Sequence, residues 1–343
     1  MNRTFASDNY SSVHPEVMRK LQEVNVGHEI SYGDDQYTAQ ATEVFRKVFG
    51  ENIEVVFLAG GTAANIYSLK LLLEKPYDAA IVAATSHMFN DETGAAQSVL
   101  GAQLFPIQTP DGKLTVELLN KETERRAPDN PHSALPKVVS ITQLAEYGTL
   151  YTPDEVRSIA DWCHERGMYL HMDGNRLANA AVALDLGLRE ASGDLGVDVL
   201  SFGGAKNGLM NAEAVVVFNA PKSDLIRMQK QVMHLTSKMR YVSAQFIPYL
   251  EHELWRTNAR NANELAKRLA EGLDAAALES TQKVEGNQIF VVMSEDLKEG
   301  LHQAGHHFYD WDTSKNEVRL VTAWDNTEED VERFLTDINR LAR

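Results

Sequence analysis

Ser201-Phe202-Gly203-Gly204-Ala205-Lys206-Asn207-Gly208 is the stretch on which the reading of this chain turns. It closes an apolar run, 197–202, whose β-branched and aromatic residues predict a buried strand stopped by a glycine pair. A lysine directly after such a strand stands where parallel α/β sheets bind ligands, outside the carboxyl ends of their strands. Upstream, a second expected strand, 169–172, runs into Asp173-Gly174-Asn175-Arg176. Taken singly, the lysine reads as a solvated charge and the Asp-Gly pair as a turn. Together they suit pyridoxal phosphate. The lysine can hold that cofactor as a Schiff base, and the acid can keep its pyridine nitrogen protonated so that the ring acts as an electron sink.

Such chemistry also needs a phosphate cradle, a group against the ring and an anchor for the substrate carboxylate. Outward from the lysine, the chain offers each. After an expected strand at 53–58, Gly60-Gly61-Thr62-Ala63-Ala64-Asn65 reads as a glycine turn opening a helix, where free N–H groups bind phosphate. It lacks the Lys-Ser or Lys-Thr pair of a nucleotide P-loop. His87 follows an expected strand at 79–84, placed to cover a flat ring; a hydrogen-bonded loop histidine is the competing reading. Arg319 interrupts an apolar strand at 317–323 and needs an anionic partner, either a structural carboxylate or that of a substrate.

Strands expected at 103–107, 137–143 and 212–218 alternate with helices at 39–48, 153–167 and 177–186. The pattern predicts a mostly parallel sheet covered on both faces. Thr152-Pro153-Asp154-Glu155 is a capping box with proline at the first helical position. The polar stretch to Pro136, with Arg125, Arg126, Pro128 and Pro131, reads as helix plus surface loop. Beyond a largely helical 222–273, strands at 289–293, 308–311 and 317–323 with helices at 294–301 and 327–341 form a small α+β unit. The expected organisation is an N-terminal segment, 1–35, packing on the core or a partner; a large cofactor-binding domain, 36–240; and a small C-terminal domain, 241–343.

Composition sets the outer bounds. Among 343 residues, 43% are hydrophobic and 24% charged, as in an ordinary globular enzyme, and the net charge is −16. That acidity argues against nucleic acid and anionic membrane as partners. Cys163 is the single cysteine, so no internal disulfide forms, which fits a reducing compartment and a cytoplasmic location. No signal peptide or membrane-spanning run is legible.

The quoted motifs, with Ser7-Asp8-Asn9, Tyr32-Gly33-Asp34-Asp35 and Arg319-Leu320-Val321-Thr322, resemble the L-threonine aldolase family along nearly the whole chain. These are enzymes of the aspartate-aminotransferase fold, pyridoxal phosphate fold type I. The resemblance implies Lys206 as the Schiff-base lysine, Asp173 as partner of the ring nitrogen and His87 as the ring-stacking residue. It implies Gly61 and Thr62 at the phosphate, and Ser7, Arg176 and Arg319 at the substrate carboxylate. No metal is expected, and a homodimer or homotetramer is.

Two positions depart from the family's pattern. Asn175 and Ala205 stand where many members have alanine and threonine, so Asn207 is the expected substitute for the missing hydroxyl at the phosphate. Between Val138 and Tyr151 there is no histidine, only Gln143, Glu146 and Tyr147, where another branch has one near the substrate hydroxyl; stereochemical preference at Cβ stays open. The implied reaction cleaves threonine or allo-threonine to glycine and acetaldehyde, with His87 or a water it holds as the base. A β-eliminating lyase or an aminotransferase of the same fold would use the same lysine and acid.

Overall fold

The computed structural model describes residues 3–126 and 130–341; Pro128 of the expected surface loop lies outside them. Seven strands form the main sheet: β1 (Glu54–Leu58), β2 (Asp78–Ala83), β3 (Gln103–Ile107), β4 (Leu135–Thr142), β5 (Tyr169–Gly174), β6 (Val199–Gly203) and β7 (Glu213–Val217). Their order is β1-β7-β6-β5-β4-β2-β3, and only β7 runs against the others. The link from β6 to β7 is too short for the crossover a parallel pair needs, which fixes that reversal. Strands β2, β6 and β7 are buried along their whole length, which is why they read as continuous apolar runs rather than alternating ones. The sheet is mostly parallel, as the alternating pattern predicts.

Aromatic packing holds β6 in place. Phe202 meets Phe49 at 5.4 Å between centroids, and Phe45 meets Phe246 at 5.0 Å. All four rings are essentially solvent-free. Each such burial contributes roughly 1.5–3 kcal/mol. Cys163 is buried in the same core and packs as a small apolar residue.

The second sheet contains β8 (Gln288–Val292), β9 (Tyr309–Asp312) and β10 (Glu317–Val321), antiparallel in the order β8-β10-β9. Its core takes Leu265, Leu269 and Leu273 from the long helix Leu254–Ala275. The first half of that helix, with Leu254, Trp255 and Ala259, belongs instead to the core of the large sheet, as do Val242, Phe246 and Tyr249. By core membership the division falls within this helix, not at the expected 240/241. A helical run in sequence does not disclose which core its apolar face joins.

The N-terminal segment spans the two cores. Phe5 is buried in the small one, its N–H donating to His307 O at 3.2 Å and its carbonyl accepting from Val321 N–H at 2.8 Å. Helix Pro15–Glu23 then packs beside the helix Phe246–Glu251 of the large domain. Among the described residues no helix is long and apolar enough to cross a membrane.

Candidate active site

Parallel register brings the strand ends level: Thr142 lies opposite Asp173, and Asp173 opposite Ser201. Asp173 and Lys206, from neighbouring strand ends, therefore share one cavity of about 820 Å³. Asp173 is fully buried. Its Oδ2 accepts from Asn65 Nδ2 at 2.9 Å; its Oδ1 accepts from Asn175 Nδ2 at 2.7 Å and from the Asn175 N–H at 3.2 Å. Burial works to raise its pKa, but the charge of Lys206 and the two amides outweigh that and hold it below the usual aspartate value. The asparagine at 175 thus has a definite task in this chain: it fixes the carboxylate.

Lys206 is half-buried, and desolvation, with the charge of Arg176, pulls its pKa down despite Asp8, Asp173 and Glu213 nearby. Its backbone is set by glycines. A Cβ on Gly203 would stand 2.6 Å from Asn175 Cα, and one on Gly204 would stand 2.7 Å from Ala212 O. Glu213 on β7 accepts from the Gly204 N–H at 2.9 Å, tying the lysine turn to the sheet. Beneath Asp173, His171 bridges Ser140 (2.8 Å) and Ser201 (2.9 Å), and Ser201 meets Ser68 at 3.1 Å. Burial pushes His171 down to about 4, so the imidazole is neutral.

His87 opens a single helical turn, His87–Asn90, directly after β2. Its Nδ1 lies 3.0 Å from Glu92 Oε1, which also accepts from Asn65 Nδ2 at 2.9 Å. Asn65 thereby links Glu92 to Asp173. The His87 backbone N–H donates to Glu146 Oε1 at 2.8 Å, and the Thr142 hydroxyl donates to the same oxygen at 3.0 Å.

The expected carboxylate anchors divide. Arg319, on β10, faces the cavity with its Nε buried and unbonded and its guanidinium 5.3 Å from the Trp311 ring. Among the described residues no carboxylate lies within ion-pair distance, so the structural alternative has no partner. Ser7 lines the cavity too and caps the turn Asp8–Tyr10, accepting from Asn9 N–H at 3.2 Å. Arg176 lines the cavity as well, and two of its three guanidinium nitrogens are paired with Asp8, Nε to Oδ2 at 2.8 Å and Nη2 to Oδ1 at 3.0 Å.

Asn207 requires a correction. Its amide hydrogens go inward, to Tyr249 Oη and Trp255 O, both at 2.9 Å, so it has no side-chain donor left for a phosphate. Gly61 and Thr62 begin the helix Gly61–Leu72, whose first backbone bond runs from Ala64 N–H to Gly60 O at 3.1 Å. They stand outside the cavity lining, but a Cβ on Gly61 would come within 3.0 Å of the Asn175 side chain, next to Asp173.

The residues that sequence reasoning left without a role are Asp8, Asn65, Glu92, Glu146, His171 and Glu213. One signal was available for Glu213, a carboxylate inside an otherwise apolar strand, the same signal that marked Arg319. The rest depend on contacts between distant segments.

This arrangement fits pyridoxal phosphate. A half-buried amine of lowered basicity, an ionised acid fixed by two amides, a helix start with free N–H groups and an unpaired guanidinium are the parts that cofactor and an amino-acid substrate require. Comparison with known proteins points the same way. Residues 4–296 match the family described as beta-eliminating lyase. The low specificity L-threonine aldolase of Pseudomonas aeruginosa is 39% identical over 337 residues, 97% of this chain and 96% of that one. Its counterpart from a Pseudomonas sp. is 38% identical over 340 residues, 98% and 97% of the two chains. The structure of Leishmania major threonine aldolase matches with a TM-score of 0.94 at 28% identity, covering 99% of each chain.

Proposed function

We propose, for a chain that belongs to the beta-eliminating lyase family, that it is a low-specificity threonine aldolase cleaving L-threonine, L-allo-threonine and related β-hydroxy-α-amino acids to glycine and an aldehyde. One observation carries this reading: a single cavity holds Lys206, Asp173 and Arg319 in a chain related end to end to threonine aldolases. The cofactor is pyridoxal phosphate, which when bound supplies the electron sink for the pair released as Cα–Cβ breaks.

In this reading Lys206 holds the cofactor through Nζ, and its lowered pKa favours the neutral amine that a nucleophile must be. Asp173 keeps the proton on the ring nitrogen; Gly61 and Thr62 offer backbone N–H groups to the phosphate, and His87 lies against the ring. Ser7, Arg176 and Arg319 take the substrate carboxylate. Arg176, held by Asp8, adds positive charge to that end of the cavity and fixes the N-terminal segment over it.

We further propose a cytoplasmic homo-oligomer, dimer or tetramer, with the site completed across the interface by the N-terminal region or the segment 32–38, a loop that runs into the helix Gln36–Phe49. Apolar side chains exposed on and near that loop support this: Ile30 at 68%, Tyr32 at 42% and Met233 at 79%. Sedimentation at assay concentration tests it, and an active monomer would rule it out.

Purified protein supplied with the cofactor and incubated with threonine, allo-threonine and serine tests the reaction. Glycine and acetaldehyde from both threonine epimers are expected. Pyruvate from serine as the main product would indicate β-elimination, and a keto acid without acetaldehyde would indicate transamination.

A further inference from the structure

We propose that Glu146 is the group that takes the proton from the substrate's β-hydroxyl, with His87 acting beside it as a hydrogen-bond donor. The proposal rests on the aldolase reading and assigns a step within it.

His87 is oriented by a buried carboxylate. Its Nδ1 is held at 3.0 Å by Glu92, a carboxylate with no solvent exposure. That bond raises the pKa of His87, with the charge of Asp173 adding to it. A histidine so held has Nδ1 committed to Glu92, leaving Nε2 as its one ring nitrogen free for a substrate.

Glu146 has the complementary arrangement. Its Oε1 is satisfied by the His87 N–H and the Thr142 hydroxyl, whereas Oε2 is buried without any partner. A buried oxygen without a donor is costly, and here the residue lines the cavity that also holds Lys206, Asp173 and Arg319. A substrate hydroxyl is the donor the vacant oxygen calls for. Burial pushes Glu146 up to about 7, with Asp173 adding to the rise, so it can both take up and release a proton near neutral pH. The titratable and charged groups about it are His87 and Glu92 after β2, Asp173 on β5, Tyr151 beyond β4, and Lys206 and Arg319 on the cavity wall.

The step balances. The hydroxyl proton passes to Glu146, and the O–H pair becomes the second bond of the aldehyde carbonyl. The Cα–Cβ bond breaks, and its pair stays with the glycine half of the substrate. One proton, from Lys206 or water, is then added at Cα, and Glu146 returns its own to solvent.

Glycine carries no β-hydroxyl, so exchange of its α-hydrogen with deuterated water calls on every part of the site except this one. For Glu146→Gln we expect kcat on threonine to fall by roughly 10²–10⁴-fold. Glycine exchange followed by NMR should stay within a few-fold of the parent, and cofactor uptake should be unchanged. In the parent enzyme, kcat/KM for threonine should fall at low pH with a pKa near that of Glu146, a limb absent from glycine exchange and retained in His87→Asn. That comparison needs no folded Glu146 variant. Threonine cleavage by Glu146→Gln within tenfold of the parent, equal loss of cleavage and exchange, or the same acid limb in both reactions of the parent would overturn the proposal. A parent that forms no acetaldehyde from threonine is a separate result, which overturns the aldolase reading and this assignment with it.

Discussion

Arg176 and Asp8 meet as a two-point ion pair, Nε to Oδ2 at 2.8 Å and Nη2 to Oδ1 at 3.0 Å, with Asp8 fully buried. Asn287 Nδ2 adds a third donor to Oδ2 at 3.1 Å. The pair joins the N-terminal segment to the end of β5 and sets its charge beside Lys206. It couples the fold to the site.

Removing Asp8 should therefore cost stability as well as activity. Asp8→Ala leaves the Arg176 cation buried without its partner, a change worth about 3–5 kcal/mol. Urea unfolding should show the loss as a lower midpoint with little change in slope. Burial opposes ionisation of Asp8, but Arg176 and Lys206 outweigh it and hold the pKa below 3.8, its ordinary value. The pair's contribution is thus present above about pH 3.8 and fades as pH falls through the lower folded value. An Asp8→Ala midpoint equal to the parent's at pH 7 would refute the assignment.

How far the chain could be read in advance follows from the range of each signal. Strands β2, β6 and β7 announce themselves because full burial makes them largely apolar, Lys206 because it follows the β6 run, and Asp173 because it ends β5. The capping box at Thr152 predicts its helix because the bonds that form it are three residues apart. The Asp8–Arg176 pair spans 168 positions, and no local pattern marks it. Asn207 was misread for a related reason. Its neighbours place it beside the lysine, but only the packing of Tyr249 and Trp255 shows that its amide turns inward. The unbonded oxygen of Glu146 likewise exists only once the segments after β2 and β4 are brought together.

Asn65 donates to both Glu92 and Asp173, holding two buried carboxylates in place. In Asn65→Ala both lose a donor, and Asp173 becomes a weaker partner for the ring nitrogen. A hydrogen bond to a charged group is worth about 1.5–3 kcal/mol, so kcat/KM for threonine should fall roughly ten- to a hundredfold. Steady-state kinetics with saturating cofactor measures it; an unchanged rate would mean Asn175 alone suffices.

Glu213 gives a pH-dependent stability. Burial pushes it up to about 7, while its bond to the Gly204 N–H and the charge of Lys206 pull the other way. Its folded pKa is raised, so the stability tied to its protonated form is full below about 4.5, the unfolded value, and is lost as pH rises through 7. Glu213→Gln removes that ionisation. The difference in Tm between variant and parent should therefore shift in the variant's favour from pH 5 to pH 8. A difference that stays flat across that range would show that Glu213 titrates near its ordinary value.

Lys206→Ala should leave the fold intact while abolishing turnover and the visible colour that depends on covalent attachment. Far-ultraviolet circular dichroism and absorbance separate the two effects. In the parent, borohydride reduction followed by peptide mapping should label Lys206. Label on another lysine would displace it from the centre of the site.

Arg319 separates cleavage of a carbon–carbon bond from mere binding of an amino acid. The Cα–Cβ bond must align with the π system that takes its electrons, and the protein can set that torsion by clamping the α-carboxylate. A guanidinium does this with two parallel hydrogen bonds, which a lysine ammonium cannot reproduce. Here the fork stands ready: Nε is buried and unbonded, and Trp311 supports the plane at 5.3 Å. Arg319→Lys keeps the charge and loses the fork. We expect KM for threonine to rise and kcat to fall together, by about 1.5–3 kcal/mol in kcat/KM, with glycine and acetaldehyde still the products. Cofactor affinity should hold, because the proposed ring and phosphate contacts come from Asp173, His87, Gly61 and Thr62. Titration with the cofactor and product analysis by NMR check both halves. A variant that cleaves threonine normally, or that loses cofactor rather than substrate, would remove Arg319 from the carboxylate and leave its vacant Nε unexplained.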